Sequence, residues 1–207
     1  MRTFVQGEGN LPNDLATALA RYRYQVFVER LGWALPVDEP NMEWDKYDRE
    51  DTIYVIARED CGSGSICGCA RLLPTTRPYL LKDLFPELLA NDLPPPESHD
   101  VWELSRFAAS VDVPSWMPEG HCTWRVRPLL ASVVQCAARL GARQLIGVTY
   151  LSMERLFRRI GVHVHRAGPP LSIDDRIVVA CWIDIDEQTL SALDIDLDAV
   201  IQLGRSA

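Results

Sequence analysis

Eight residues combine chemical capability with an unusual setting: Arg23, Phe27, Trp33, Asp45, Asp48, Arg71, Glu103 and Arg106. Arg71 interrupts the apolar run Cys69-Ala70-Arg71-Leu72-Leu73, and Glu103 and Arg106 share Trp102-Glu103-Leu104-Ser105-Arg106-Phe107. Arg23 stands between two tyrosines, Tyr22 and Tyr24. Charges in such surroundings are costly unless opposite charges meet them. The stretch Glu43-Trp44-Asp45-Lys46-Tyr47-Asp48 brings three carboxylates within six residues. Two arrangements satisfy these residue types: ion pairs that tie an acidic loop to a sheet, or a polar site that holds a charged substrate. Metal binding is not expected. The acidic stretch lacks the glycine turn and the ligand number of a calcium loop. His99, His121, His163 and His165 fall in no HExxH or related zinc pattern. A GxSxG elbow, a P-loop and a GxGxxG fingerprint are all absent.

The elements that position these residues follow from periodicity. Asn13 or Asp14 can cap a helix whose apolar positions Leu15, Leu19, Tyr22 and Val26 keep helical spacing, and Gly32 can end it. Arg23, Phe27 and Arg30 then share a second stripe of that helix. Trp33 to Asp51 is polar, contains Pro36 and Pro40, and reads as a long loop of the kind that often serves function. Strands are expected at 52–58, 66–73, 101–109, 144–150, 162–166 and 176–185, and helices at 79–90, 123–140 and 152–160, the first interrupted near Pro86. A helical tail closes the chain. In a regular strand Glu103 and Arg106 face opposite sides, so a common role for both predicts a β-bulge near Leu104–Arg106. The fold class is α/β, a single domain over residues 1–207 with a mixed β-sheet flanked by helices.

The composition, 47% hydrophobic and 24% charged over 207 residues, is that of a folded domain able to bury its own core. Cys61, Cys67, Cys69, Cys122, Cys136 and Cys181 show no zinc or CxxC spacing and read as reduced, small hydrophobes. No apolar run approaches bilayer length, and residues 1–16 lack signal-peptide character, so a cytoplasmic location and no membrane partner are expected. The net charge of −8 argues against nucleic acid as a partner. Locally the sign reverses: Arg139, Arg143, Arg155, Arg158, Arg159 and Arg166 are set against Glu154 alone. Such a stretch is either a solvated face or a dock for an anionic partner.

Taken in order, Arg23-x3-Phe27, Trp33, Asp45-x2-Asp48, Arg71 and Glu103-Leu104-Ser105-Arg106-Phe107 resemble the acyl-homoserine lactone synthases of the LuxI type. The resemblance runs through nearly the whole chain and is most specific in the first 110 residues. It implies a fold similar to the GCN5-type N-acetyltransferases. It also implies a quorum-sensing transferase that acylates S-adenosylmethionine from acyl carrier protein, closes a homoserine lactone and releases 5′-methylthioadenosine. The subgroup resembled makes medium-length acyl signals. S-adenosylmethionine is then a substrate, and no cofactor is implied. Within this frame Glu103 suits the proton acceptor, with Arg106, Asp45, Asp48 and Arg71 completing the catalytic set, or with Arg71 and Arg106 bracing the carboxylates instead. Asp45 and Asp48 suit the substrate ammonium, Arg23 its carboxylate or the acidic loop, and Phe27 and Trp33 its sulfonium or adenosyl end, with Arg106 adjoining. Phe85, Leu104, Ser105, Phe107, Thr149, Met153 and Leu156 suit an acyl pocket. Arg139, Arg143, Arg155, Arg158 and Arg159 suit the acidic carrier protein. A general acyl-CoA-dependent N-acyltransferase is the competing reading, although Arg125-Val126-Arg127-Pro128-Leu129-Leu130-Ala131 lacks the glycines of a pyrophosphate loop.

Overall fold

The computed structural model describes residues 1–7, 11–36, 38–59, 64–90, 93–109 and 123–196. Cys61, His121 and Cys122 lie outside them. The chain opens with a strand, β1 (Arg2–Gly7), that its mixed polarity did not announce. Pairing creates it: β1 runs antiparallel to β2 (Ile53–Arg58), from Arg2↔Arg58 to Gly7↔Ile53. Helix α1 spans Asn13–Arg23. Its N-cap is Pro12, whose carbonyl accepts from the Ala16 amide at 2.8 Å, and neither expected cap side chain is used.

From Tyr24 to Arg30 the helix winds as a π-helix, which Gly32 ends in the left-handed region at φ +66°. The wider winding breaks the expected stripe. Arg23 and Phe27 are buried, whereas Arg30 is exposed.

β3 (Ile66–Pro74) is buried at every position from Cys67 to Leu73, the pattern of a strand covered on both faces. α2 (Leu80–Leu84) and a 3₁₀ turn (Pro86–Leu88) occupy the expected interrupted helix. Next come β4 (Val101–Ala109), α3 (Thr123–Arg139), β5 (Gln144–Tyr150) and α4 (Leu151–Ile160). Tyr150 is the N-cap residue of α4, and Gly161 ends the helix at φ +101°. β6 (Val164–Arg166), the unforeseen β7 (Leu171–Ile173), β8 (Arg176–Asp184) and α5 (Glu187–Ala192) complete the described chain.

The sheet has eight strands in the order β1-β2-β3-β4-β5-β8-β6, with β7 also on β8. It is mixed, as expected: β4 and β5 are parallel, while β5 and β8 are antiparallel. The β4–β5 ladder covers only Val101↔Gln144 to Glu103↔Ile146. Immediately beyond it Gly147 is obligatory, because a Cβ there would lie 2.4 Å from the Leu104 carbonyl oxygen. Among the described residues no helix is long and apolar enough to cross a membrane.

By packing, the chain falls into two units, residues 1–71 with 106–129 and residues 72–105 with 130 onward. The first is built around Leu19, Tyr22, Phe27, Tyr54, Ile56, Cys69 and Ala108. The second buries Leu72, Leu73, Val133, Leu145, Ile146 and Val179. Each such aliphatic side chain contributes about 1.5–3 kcal/mol when removed from water. Cys67, Cys69, Cys136 and Cys181 are free and buried, and burial pushes the Cys69 thiol up to about 12, so it stays a neutral core residue.

Candidate active site

The acidic segment is shaped first by its own backbone. The Glu43 amide donates to the Ala20 carbonyl (3.1 Å), which fastens the loop to α1. The Asp45 amide donates to Asp48 Oδ2 (2.8 Å), and the Tyr47 amide to Asp45 Oδ1 (2.8 Å). These short-range bonds aim three carboxylates at three guanidiniums of the first unit.

Arg23 donates through Nε to Glu43 (2.5 Å) and through both terminal nitrogens to Asp48 (2.8 and 3.0 Å). Arg71 reaches Asp45 at 2.7 and 3.1 Å and Asp48 at 2.9 Å. Arg106 joins Glu43 (2.9 Å) to Asp45 (2.8 Å) through Nη2. Three cations thus balance three anions in a region that water scarcely enters. Burial pushes the Glu43 carboxyl up, but Arg23 and Arg106 outweigh it and hold the group below its ordinary value. Asp48 follows the same pattern more strongly, with burial opposed by Arg23 and Arg71. Burial, with Asp48 adding to it, keeps the Tyr54 hydroxyl protonated, and it donates to Asp48 at 2.7 Å.

Aromatic rings cover the guanidiniums. Phe27 and Trp33 stack at 4.7 Å between centroids, and the Arg106 guanidinium lies 5.5 and 5.7 Å from them. Arg23 lies 5.0 Å from the Trp44 ring. Arg106 attains its position with φ +50°, an uncommon conformation for a side chain of this size. Along β4 the buried positions change phase, from Val101 and Glu103 to Leu104, Arg106 and Ala108. The strand is thus irregular at Leu104–Arg106, the place where a β-bulge was expected.

The structure sorts the residues that sequence could only group. Asp48 takes five hydrogen bonds and its side chain has no exposed surface, so it is wholly enclosed by the network. Arg23 and Arg71, 1% and 0% exposed, are likewise enclosed. Arg23 clamps the acidic loop, one of the two roles open to it. Asp45 is the carboxylate of the three that solvent reaches, at 14%, and its neighbour Arg106 has no partner for Nη1 among the described residues. Glu43 joins Arg23 to Arg106 and was missing from the sequence-derived set. Its signal was the third carboxylate of the acidic stretch.

Glu103 lies in the second unit, buried, accepting from the Leu80 and Leu81 amides at 3.0 and 2.7 Å. It therefore also anchors the start of α2. Of the apolar set, Leu104 is buried, while Phe85, Ser105, Phe107, Thr149, Met153 and Leu156 are half-buried. In the basic stretch Arg158 is not fully available, because it and Arg166 hold the buried Glu154 at 2.9 Å. Arg139, Arg143, Arg155 and Arg159 are exposed.

The profile of the family described as autoinducer synthase matches residues 10–193. The chain is 63% identical over 195 residues to an acyl-homoserine-lactone synthase of Ralstonia solanacearum, covering 94% of each. It superposes with TM-score 0.83 and 61% identity on TofI in a ternary complex with an inhibitor and MTA, covering 97% of this chain and all of that one. A CoA-dependent acyl-homoserine lactone synthase, BjaI, solved with SAM and isopentyl-CoA, matches at 26% identity and TM-score 0.78 over 98% of each chain.

Proposed function

This chain belongs to the autoinducer synthase family and is an acyltransferase of the acyl-homoserine-lactone synthase class; we propose that it acylates S-adenosylmethionine with a medium-length acyl group delivered on acyl carrier protein. The observation that carries the substrate reading is the Asp45–Arg106 margin of the buried network. A carboxylate that solvent reaches stands beside a guanidinium with a spare nitrogen, next to two stacked rings. That combination suits a zwitterionic amino acid bearing a sulfonium: ammonium to Asp45, carboxylate to Arg106, and the cation toward Phe27 and Trp33.

The amine attacks the thioester carbonyl, forming the amide and expelling the carrier thiolate, while Glu103 accepts the amine proton. The methionine carboxylate then attacks the carbon bonded to sulfur. The C–S bond breaks toward sulfur, which leaves as 5′-methylthioadenosine, and the lactone closes. Thr149 on β5 and Met153 and Leu156 on α4, half-buried in the second unit, are the walls assigned to the acyl chain. Discrimination by such walls amounts to ~1–3 kcal/mol per methylene.

The test is incubation of the purified chain with S-adenosylmethionine and matched thioesters of acyl carrier protein and CoA, with lactones identified by mass spectrometry. Lactone from carrier thioesters is expected. Equal turnover of the CoA series would reassign the donor, and methylthioadenosine without acyl product would count against the reaction. Glu103→Gln should slow amide formation about 10²–10⁴-fold with little change in S-adenosylmethionine affinity. Near-normal turnover would move the proton to another acceptor.

A further inference from the structure

The histidines show no metal motif in sequence, but folding gathers two of them with a carboxylate. β6 and β8 pair antiparallel with His165 opposite Trp182, and the Asp184 amide donates to the His163 carbonyl at 3.0 Å. One ligand atom each from His163, His165 and Asp184 then lies within 4.8 Å of the other two. The groups are held from outside the cluster. Gln144 Nε2 donates to Asp184 Oδ1 at 2.7 Å, and Asp184 presents its other oxygen 3.2 Å from His165 Nδ1 and 3.6 Å from His163 Nδ1. Asp186 is anchored in the same way by the Thr189 amide (3.0 Å) and meets His163 Nδ1 at 2.5 Å through its other oxygen. His165 stacks on Trp182, with 18° between the ring planes.

We propose that His163, His165 and Asp184 form a binding site for a divalent transition-metal ion, which takes His163 Nδ1 from its Asp186 contact, with water completing the coordination shell. Two imidazoles and one carboxylate favour zinc and its neighbours over magnesium or calcium, which take oxygen ligands. The His163 and His165 side chains are 45% and 48% exposed, so the ion has direct access from solvent. None of these residues belongs to the acyl-transfer machinery. The bound ion would cross-link β6, at one end of the strand order, to β8. Its role is therefore to fasten that edge of the sheet rather than to take part in the reaction.

The test uses the full chain without an affinity tag, stripped with chelator and titrated with zinc chloride by calorimetry and with cobalt chloride by visible absorption. One saturating equivalent of zinc, a cobalt band and a zinc-dependent rise in Tm are expected. His165→Asn should weaken zinc binding by at least about tenfold and abolish the rise in Tm. Asp184→Asn, which keeps an oxygen for Gln144 and so disturbs the fold least, should do the same. Unsaturable heats without a cobalt band, or wild-type titrations from both variants, would overturn the site.

Discussion

Two clusters in this chain are built from the same parts and differ in what water can reach. In the first unit Arg23, Arg71 and Arg106 meet Glu43, Asp45 and Asp48, with side-chain exposures from 0 to 14%. In the second, Glu154 at 1% meets Arg158 at 53% and Arg166 at 38%. Both sides of the first cluster have left water, so each charge depends on its partners. In the second only the carboxylate has left, and the arginines keep most of their hydration whether or not the bonds form. The distances are alike, and it is the surroundings that decide how much each ion pair contributes. The first cluster can hold a rigid polar margin for a substrate, whereas the second is a surface clasp.

The sharpest way to break this comparison is Arg23→Ala. It takes one of two guanidinium partners from both Glu43 and Asp48, leaving a net buried negative charge, and should cost about 3–5 kcal/mol in denaturant unfolding. A loss below about 1 kcal/mol would mean that water enters and replaces the cation.

Acid should attack the same cluster. Glu43 and Asp48 have depressed values in the folded state, so their contribution is complete above the ordinary carboxylate range, about 4, and disappears as pH falls through the folded values. The unfolding midpoint should therefore drop below about pH 4, and Arg23→Ala should flatten that profile. A parallel profile would assign the acid sensitivity to other groups.

Glu154→Gln should cost less, about 1 kcal/mol, because its two partners remain solvated. A cost matching that of Arg23→Ala would erase the distinction drawn here. Smallest in stability is the double reversal Arg155→Glu with Arg159→Glu, expected within about 0.5 kcal/mol of wild type. Its effect should appear instead as a raised KM for acyl carrier protein with a weaker salt dependence. Unchanged kinetics would leave these arginines as solvated surface.

Much of the fold was legible because local patterns agreed with it. β4 was expected at Val101–Ala109 and occurs there, and Gly161 ends α4 where a left-handed residue was required. β1 was not legible, since its strand state comes from pairing with β2. The π-helix was equally hidden, because no residue type marks a change of winding. In the site, the cost of isolated charges pointed to Arg71 and Arg106, and order and spacing supplied the rest. What the sequence could not divide was the enclosed carboxylates from the one that solvent reaches. That division rests on solvent access, which separates Asp45 from Asp48 although they are three residues apart and share Arg71. Glu43 escaped for a related reason. Its role exists only once the loop has folded back on α1 and Arg106 has arrived from β4.

That last arrival bears on how the protein is made. Arg106 lies 63 residues beyond Glu43, and chains fold as they leave the ribosome, N-terminal parts first. A nascent chain that ends before residue 106 holds all three carboxylates with only two of their arginines. Until β4 emerges the cluster carries an unmatched negative charge that must stay in water, so the first unit cannot close around it ahead of time.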